Sequence, residues 1–355
     1  MSTQKKALFA TENAEFVVRE DICHEDLADN ELLIEVHYSG INPADIKHST
    51  LLGIRSTVIG YDFAGRVITP PRVPSVSTFN EGDIVAGYTP SGLDRPSKYG
   101  AHQDYLVVPD DMVFKVPSNL PEQHAAALTC VVMTAADAIH NLFKYPLPTS
   151  AGTSTSPILI WGASSSVGIS ALQLARASGV QNIFVTASPA RHDLLKSLGA
   201  THVFDYRSST VVADIKAAVE ALGQGLVTHA FDAAGSSGAP SSADLLSQSV
   251  TDSTELASVV LRQDKRFRMP VAMTKDPWAI HPPGAPHPIS LPSRPTDHWN
   301  AWKAVNWAIE NYSRGFEMVS VDVVEGTAEE SLEEVWKVSN GERGFGKVVL
   351  RHPFK

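Results

Sequence analysis

The sequence predicts an α/β protein of two domains, a barrel-like β domain followed by a doubly wound parallel sheet. Three observations carry this expectation. The chain has 355 residues, enough for two domains with separate cores. Its N-terminal part holds short apolar runs broken by Gly, Pro, Asn and Asp, whereas its middle alternates strand-like and helix-like segments. Where that alternation begins, an apolar strand runs into small residues, Gly162-Ala163-Ser164-Ser165-Ser166-Val167-Gly168, and then directly into a helix.

Leu32, Ile34, Val36 and Tyr38 alternate with Leu33, Glu35 and His37, the period of a half-buried strand. Short apolar runs follow at 58–67, 84–87 and 105–108, with turn signals at 40–43 and 81–83, as in a small barrel. Residues 124–143 read as a helix rich in Ala and Leu, and 144–157 as a connector without periodicity. From there the segments 157–161, 183–186, 202–204 and 227–232 read as strands, with helices at 167–178, 193–198 and 211–222. That order makes a parallel sheet, because each helix carries the chain back to the same end. No element is read in the Ser-rich 236–250, and the Pro-rich 276–297 reads as a long loop. Trp299, Trp302, Val305, Ile309 and Tyr312 resume helical spacing, 329–339 is an amphipathic helix, and Lys347–Arg351 a strand.

Composition excludes several classes. Hydrophobic residues at 43% and charged residues at 19% are those of a globular protein, not a disordered one. A net charge of -10 argues against a nucleic-acid backbone or an anionic membrane as partner. The two cysteines, Cys23 and Cys130, cannot build a disulfide framework or a four-cysteine zinc site and read as small hydrophobes. The start, MSTQKKALFATENAEF, lacks the apolar stretch of a signal peptide, and no run approaches the roughly 20 apolar residues of a membrane helix. A cytoplasmic location is expected.

The glycine loop carries the chemistry. Gly162 allows a sharp turn and Gly168 lets helix and strand pack closely. The N–H groups around Ser164, Ser165, Ser166 and Val167 would then hold a pyrophosphate, aided by the helix dipole. The plain alternative is a serine N-cap, which the βαβ context disfavours. After the second strand, an NAD site usually places an acid that accepts from the ribose 2′-hydroxyl. Here Ala187-Ser188-Pro189-Ala190-Arg191-His192 follows, with no acid before Asp193. Ser188 and Arg191 would donate to a 2′-phosphate, so NADPH is the expected cofactor. The alternative is a capping serine beside a solvated arginine.

Taken together, Gly40-Ile41-Asn42-Pro43-Ala44-Asp45-Ile46-Lys47, Gly60-Tyr61-Asp62-Phe63-Ala64-Gly65, Glu81-Gly82-Asp83, Gly100-Ala101-His102-Gln103-Asp104-Tyr105, the glycine loop, and Leu198-Gly199-Ala200 before Asp205-Tyr206 resemble the medium-chain dehydrogenase/reductase superfamily. The chain looks most like the fungal trans-acting enoyl reductases of polyketide pathways, through Ala187-Ser188-Pro189, Val203-Phe204-Asp205-Tyr206-Arg207 and Tyr145-Pro146-Leu147-Pro148. The resemblance implies a GroES-like β-barrel catalytic domain, residues 1–125 and 285–355, around a Rossmann domain at 126–284. It adds Tyr206 to the cofactor site.

Zinc-bearing relatives use a Cys and a Gly-His-Glu segment where this chain has Asn42/Pro43 and Gly60-Tyr61-Asp62, so no metal is expected. The 13 histidines, among them His24, His48, His102, His281, His287 and His298, lack ligand spacing. Without a Lewis acid, a C=C conjugated to a carbonyl is easier to reduce than the carbonyl itself. Lys47 and Thr134 match polar pocket positions of the fungal relatives, where they would bond the developing enolate or the cofactor. Solvated charge and helix packing are their respective alternatives. No Tyr follows the Asn42-Pro43 turn, where mitochondrial enoyl reductases carry one, so the proton donor to the α-carbon stays open. The leading expectation is a trans-acting enoyl reductase on a carrier-bound chain, with a polyketide synthase as partner and a monomer favoured over a homodimer. A quinone or alkenal reductase and a redox-inactive nucleotide-binding protein are the alternatives.

Overall fold

The computed structural model describes residues 5–22, 24, 26–150, 152, 154, 156–223, 226–271 and 275–355. Cys23 lies outside them. In chain order the strands that concern the site are β1 (Glu31–Gly40), β2 (Asp62–Thr69), β3 (Ile84–Tyr88), β4 (Tyr105–Pro109), β5 (Val113–Lys115), β6 (Ile158–Trp161), β7 (Ile183–Ala187), β8 (His202–Asp205), β9 (His229–Asp232), β10 (Glu255–Ser258), β11 (Phe267–Arg268), β12 (Val321–Val324) and β13 (Lys347–Arg351). The helices are α1 (Ala44–Leu51), α2 (Glu122–Ala136), α3 (Ser166–Ala177), α4 (His192–Leu198), α5 (Val211–Ala221), α6 (Ser242–Gln248), α7 (Pro295–Glu310) and α8 (Ala328–Ser339).

The chain forms two compact units. The first comprises residues 1–130, 276–294 and 318–355, and the second 131–275 and 295–317. Against the expected 1–125 with 285–355 and 126–284, residues 126–130 and 276–284 fall in the first unit, and 295–317, with the Trp-bearing helix, in the second. Helix α7 belongs to the second unit, and Asn141 Nδ2 donates to the Asp297 carbonyl at its first turn (2.8 Å). Ala301, Trp302, Val305 and Ile309 form its buried face.

In the first unit seven strands pair in the order β12-β13-β1-β2-β3-β5, with β4 on β1. Among the described residues no pairing joins the two ends of that order. Leu32, Ile34 and Val36 point inward as their alternation requires. Tyr38 does not, because a register shift between Val36 and Tyr38 turns the strand and buries Ser39 instead. The last strand, β13, pairs antiparallel with β1 through Val349, Leu350 and Arg351. A core of Leu8, Ile41, Ile46, Val335, Val348 and Leu350 ties α1 and α8 to this sheet. Helix α8 begins on a capping box, in which Thr327 Oγ1 accepts from Glu330 N–H (3.2 Å) and Glu330 accepts from Thr327 N–H (2.8 Å).

The second unit is a six-stranded, all-parallel sheet in the order β8-β7-β6-β9-β10-β11. Counted within the unit, that is 3-2-1-4-5-6, the doubly wound order of dinucleotide-binding sheets. Leu159, Trp161, Phe184, Ile215, Ala230, Leu246 and Leu256 fill one core cluster.

Four readings of the sequence change. The Ser-rich 236–250 contains α6, started by a capping box of Ser241 and Asp244. The Pro-rich loop contains a short antiparallel pair, Trp278–Ile280 with Ile289–Leu291. The run expected as one helix to 143 passes at Asp137–Leu142 into a π-turn. Together, Glu122–Leu142 is long and apolar enough by composition to cross a membrane, contrary to the reading above, but 94% of that window is buried inside the protein. It is a core helix.

Inside the first unit Asp62 is fully buried and holds three groups at once. Lys347 Nζ lies 3.3 Å from Oδ2, Asn42 Nδ2 donates to Oδ2 (2.9 Å), and Cys130 N–H donates to Oδ1 (2.7 Å). Lys347 also donates to Asn42 Oδ1. Removing one partner of a buried ion pair leaves the other uncompensated, at about 3–5 kcal/mol. Asp62→Ala is therefore expected to lower unfolding free energy by about that amount in urea titration, and adding Lys347→Met to recover part of it. A variant unfolding at the wild-type midpoint would contradict the ion pair.

Candidate functional site

Strand β6 ends at Trp161, and the backbone turns through Gly162 at φ +76°, a conformation that side chains disfavour. A Cβ on Gly162 would lie 2.6 Å from Ala234 Cβ, and one on Gly168 would lie 2.5 Å from the Gly162 carbonyl oxygen. Both glycines are therefore required by close approach, as the loop reading demands. The Gly162 N–H donates to Thr186 Oγ1 (3.0 Å) and the Ala163 N–H to the Thr186 carbonyl (3.0 Å), which locks the loop to β7.

Ser165 is the N-cap of α3, and its Oγ accepts from Gly168 N–H (3.0 Å). The capping alternative is thus real, yet it does not consume the helix end. Ile169 N–H goes to the Ser165 carbonyl (2.8 Å), which leaves the N–H groups of Ser166 and Val167 at the half-exposed start of a 12-residue helix. Ser164 lies half-buried in the same turn. These donors and the helix dipole fit a pyrophosphate.

The Ser165 hydroxyl also donates to the Ala233 carbonyl (2.9 Å). Strands β6 and β9 are the neighbours at which the strand order reverses, so this bond crosses the topological switch point where such sheets bind ligands. Past β9, a group that the sequence reading missed holds the second loop. Asp232, fully buried, accepts from Ser258 Oγ (2.9 Å) and Arg262 (2.6 Å), and its other oxygen accepts from Ala234 (3.2 Å) and Gly235 N–H (3.0 Å). An acid closing a βαβ strand was visible in the sequence, but its partner Arg262 lay 30 residues on in a stretch without periodicity.

At the end of β7, Ser188 stands at the N-cap position of the short turn Pro189–Arg191 and makes no capping bond through its side chain. Arg191 is half-buried and precedes α4. Ala187 lies opposite Asp205 in the parallel register, which brings Tyr206 to the same edge. The Tyr206 ring is exposed and carries the Arg207 guanidinium 5.4 Å from its centroid. The second unit thus gathers Gly162, Ser164–Val167, Ser188, Arg191 and Tyr206 along the carboxyl ends of neighbouring strands.

Thr134 also belongs to the second unit, half-buried in α2. Lys47 belongs to the first, on α1. Its ammonium is half-buried, has no ion pair among the described residues, and is held below the ordinary lysine value by burial. That is not the fully solvated charge of the plain alternative. The neighbouring His48 is bonded through Nδ1 to the Tyr61 hydroxyl (2.7 Å). His102, read as one of several scattered histidines, bridges Asp45 (2.9 Å) and Ser39 (2.8 Å) in the core. The Cys130 thiol is pushed well above its ordinary value by burial, and next by Asp62. Among the described residues no three or more His, Cys, Asp or Glu gather as a metal-binding group.

Two family patterns match the chain, the alcohol dehydrogenase GroES-like domain at residues 28–118 and the zinc-binding dehydrogenase at residues 166–260. The second stretch contains no cysteine. The chain is 39% identical over 186 residues to the trans-enoyl reductase himH of Aspergillus japonicus, covering 51% of this chain and 54% of that one. It is 30% identical over 268 residues to the trans-enoyl reductase resD of Aspergillus sclerotiorum, covering 67% and 74% respectively. It is 33% identical over 231 residues to the dehydrogenase azaJ of Aspergillus niger, covering 61% and 64%. The match thus spans about half to two thirds of himH and azaJ. The crystal structure of CurK enoyl reductase superposes with a TM-score of 0.71 at 17% identity, covering 99% of this chain and 100% of that one, a likeness of fold.

The protein therefore belongs to the medium-chain dehydrogenase/reductase superfamily, with a GroES-like N-terminal domain and a Rossmann-like nucleotide domain. Its curated relatives include fungal trans-enoyl reductases.

Gly162→Ala tests the loop. With its φ and the Ala234 contact, the variant is expected to lose about 1–3 kcal/mol of stability and at least about tenfold in dinucleotide affinity. Thermal melting and a fluorescence titration measure the two. Unchanged values in both would remove the loop from the site.

Proposed function

We propose that the protein is an NADPH-dependent reductase of C=C bonds conjugated to a carbonyl, acting in trans on an acyl chain carried by a polyketide synthase. The observation that carries this reading is the parallel sheet whose order reverses at the Gly162 loop, in a chain whose relatives are named trans-enoyl reductases. NADPH supplies the hydride when bound. The protein's part is to hold it: Ser166 and Val167 N–H groups toward the pyrophosphate, Ser188 and Arg191 toward the 2′-phosphate, with Tyr206 beside them.

We read the β-rich unit as a GroES-like barrel and a discontinuous catalytic domain, completed by the C-terminal strands. In it Lys47 donates to the acceptor carbonyl or the cofactor ribose; Thr134, on α2 within the second unit, is the other candidate donor for that chemistry. The support for Lys47 is its position: a half-buried ammonium with no ion pair among the described residues, on a helix that Asn42-Pro43 starts. We place it in the cytoplasm, as a monomer in preference to a homodimer, with the synthase as its partner.

Titration with both cofactors is expected to show NADPH bound at least about tenfold, or 1.4 kcal/mol, more tightly than NADH. Arg191→Ala should remove most of that preference, and equal dissociation constants in the wild type would defeat it.

Lys47→Ala is expected to lower kcat with a carrier-bound enoyl thioester by up to about 2.7–4 kcal/mol of transition-state stabilisation. A donor that only positions cofactor would raise KM for NADPH instead. Full activity and cofactor affinity in both Lys47→Ala and Thr134→Val would take these two residues out of the mechanism. An enzyme that reduces free quinones but no enoyl thioester would replace the substrate class.

A further inference from the structure

Conjugate reduction needs a proton as well as a hydride. Hydride on the β-carbon leaves an enolate, and the α-carbon becomes saturated only when a donor supplies H⁺. No tyrosine follows the Asn42-Pro43 turn, but the fold brings one there from another strand connection. Tyr61, just before β2, reaches α1, where its hydroxyl meets His48 Nδ1 at 2.7 Å and the two rings pack edge to face at 5.1 Å. Ser91 Oγ donates to the same hydroxyl at 3.4 Å.

The third neighbour is a cation. Arg95 is buried, with its guanidinium carbon 4.5 Å from the Tyr61 ring centroid. One of its terminal nitrogens donates to the Gly60 carbonyl (2.7 Å), the Tyr99 carbonyl (3.1 Å) and Thr89 Oγ1 (3.3 Å). Its Nε has no partner, and no carboxylate pairs with it among the described residues. Asp45 acts on it only from beyond ion-pair distance. A buried guanidinium so weakly compensated is costly, and the cost falls when negative charge forms beside it. A phenolate on Tyr61 would be such a charge.

Resting on the reading of the protein as a C=C reductase, we propose that Tyr61 is the proton donor to the reduced acceptor, with His48, Ser91 and Arg95 as its positioning residues. His48 carries its single proton on Nδ1 and donates it to the Tyr61 oxygen, as Ser91 does. The phenol's own hydrogen is then left for the acceptor. As the enolate forms, the Tyr61 O–H bond breaks and the α-carbon C–H bond forms. The phenolate is held by two donors and the guanidinium until water returns a proton. Tyr61 is nearly closed to water, whereas His48 and Ser91 beside its hydroxyl are partly exposed.

The protonation states agree with this geometry. Burial pushes the His48 imidazole down to about 4, so it is neutral and holds one proton at neutral pH. Burial also raises the Tyr61 phenol above its ordinary value, Arg95 opposing, so the donor is fully protonated before the reaction. The charged and titratable groups facing the phenol are His48, Arg95, Asp45 and Cys130. The rate with a fixed substrate should therefore fall only on the alkaline side, where both donors, the Lys47 ammonium held down by burial and the Tyr61 phenol raised by it, lose their protons, and a more acidic phenol at position 61 separates the two.

The test compares wild type with Tyr61→Phe, which keeps the ring on Arg95, using a short 2-enoyl thioester and NADPH in deuterated water. Three results are expected. Turnover falls about 100-fold. NADPH affinity, read by fluorescence without substrate, does not change. Deuterium at the product α-carbon, confined to one face by the wild type, is spread over both. His48→Leu should slow turnover in the same direction, and His48→Asn, whose amide can donate from near the Nδ1 position, should recover much of it. Should Tyr61→Phe fail to fold, a fluorotyrosine at position 61 supplies a more acidic phenol and should move the alkaline limb to lower pH. Wild-type turnover and unchanged facial labelling in Tyr61→Phe, or an unmoved limb with fluorotyrosine, overturn the assignment alone. A wild-type protein that reduces no conjugated C=C overturns the functional reading and this proposal with it.

Discussion

The second unit depends on one meeting of two loops. Strands β6 and β9 run parallel side by side, but the helices that follow them leave toward opposite sides, so their exit loops diverge from a shared edge. Gly162 must turn through a positive φ there and still pass Ala234 with no room for a methyl group. The Ser165 hydroxyl then joins the two loops through the Ala233 carbonyl. Because that same oxygen caps α3 through Gly168 N–H, the turn, the loop junction and the helix start are one unit. The donors offered to a dinucleotide are held in place by backbone geometry, not by long side chains. Only the two positions of close approach, Gly162 and Gly168, need to lack a Cβ, so the three serines between them are accommodated.

The first unit solves a different problem, that of polar groups in a core. The family resemblance puts Asn42 or Pro43, Tyr61 and Asp62 where zinc-bearing members carry cysteine, histidine and glutamate. They are engaged with protein partners: Asn42 and Asp62 with the Lys347 ammonium, Tyr61 with His48 and Arg95. Amide, phenol and an ion-paired carboxylate are poor substitutes for a thiolate and an imidazole around zinc. Positive charge at this place comes from lysine and arginine. A chemistry that works through hydrogen-bond donors and a protonated phenol suits an enolate, whose charge forms only during the reaction.

Much of this was legible in the sequence where the period was long enough to read. The βαβ alternation, the glycine turn and the missing acid after β7 are local patterns, and the structure places them on neighbouring strand ends. The Leu32–Ile34–Val36 row was equally clear, but its failure at Tyr38 was not, since a register shift has no signature of its own. Strands β10 and β11 were missed because Glu255–Ser258 and Phe267–Arg268 are too short to show alternation. Helix α6 did carry a signal, Ser241 three residues before Asp244, hidden in a serine-rich stretch. The pairs that matter most to the proposed chemistry were out of reach. Tyr61 and His48 are 13 residues apart, Asp232 and Arg262 are 30 apart, and Lys347 and Asp62 are 285 apart. Such contacts are set by topology, which a single sequence shows only after the fold is known.

The central claim is that the nucleotide unit delivers hydride to a carbon–carbon double bond conjugated to a carbonyl. Label transfer tests it most directly: the protein is incubated with NADPH deuterated at nicotinamide C4 and a carrier-bound 2-enoyl thioester, and the product is analysed by mass spectrometry and NMR. One deuterium is expected at the β-carbon of the saturated chain, with the thioester carbonyl intact. Deuterium on the carbonyl carbon, or consumption of the labelled cofactor with the double bond untouched, would contradict it.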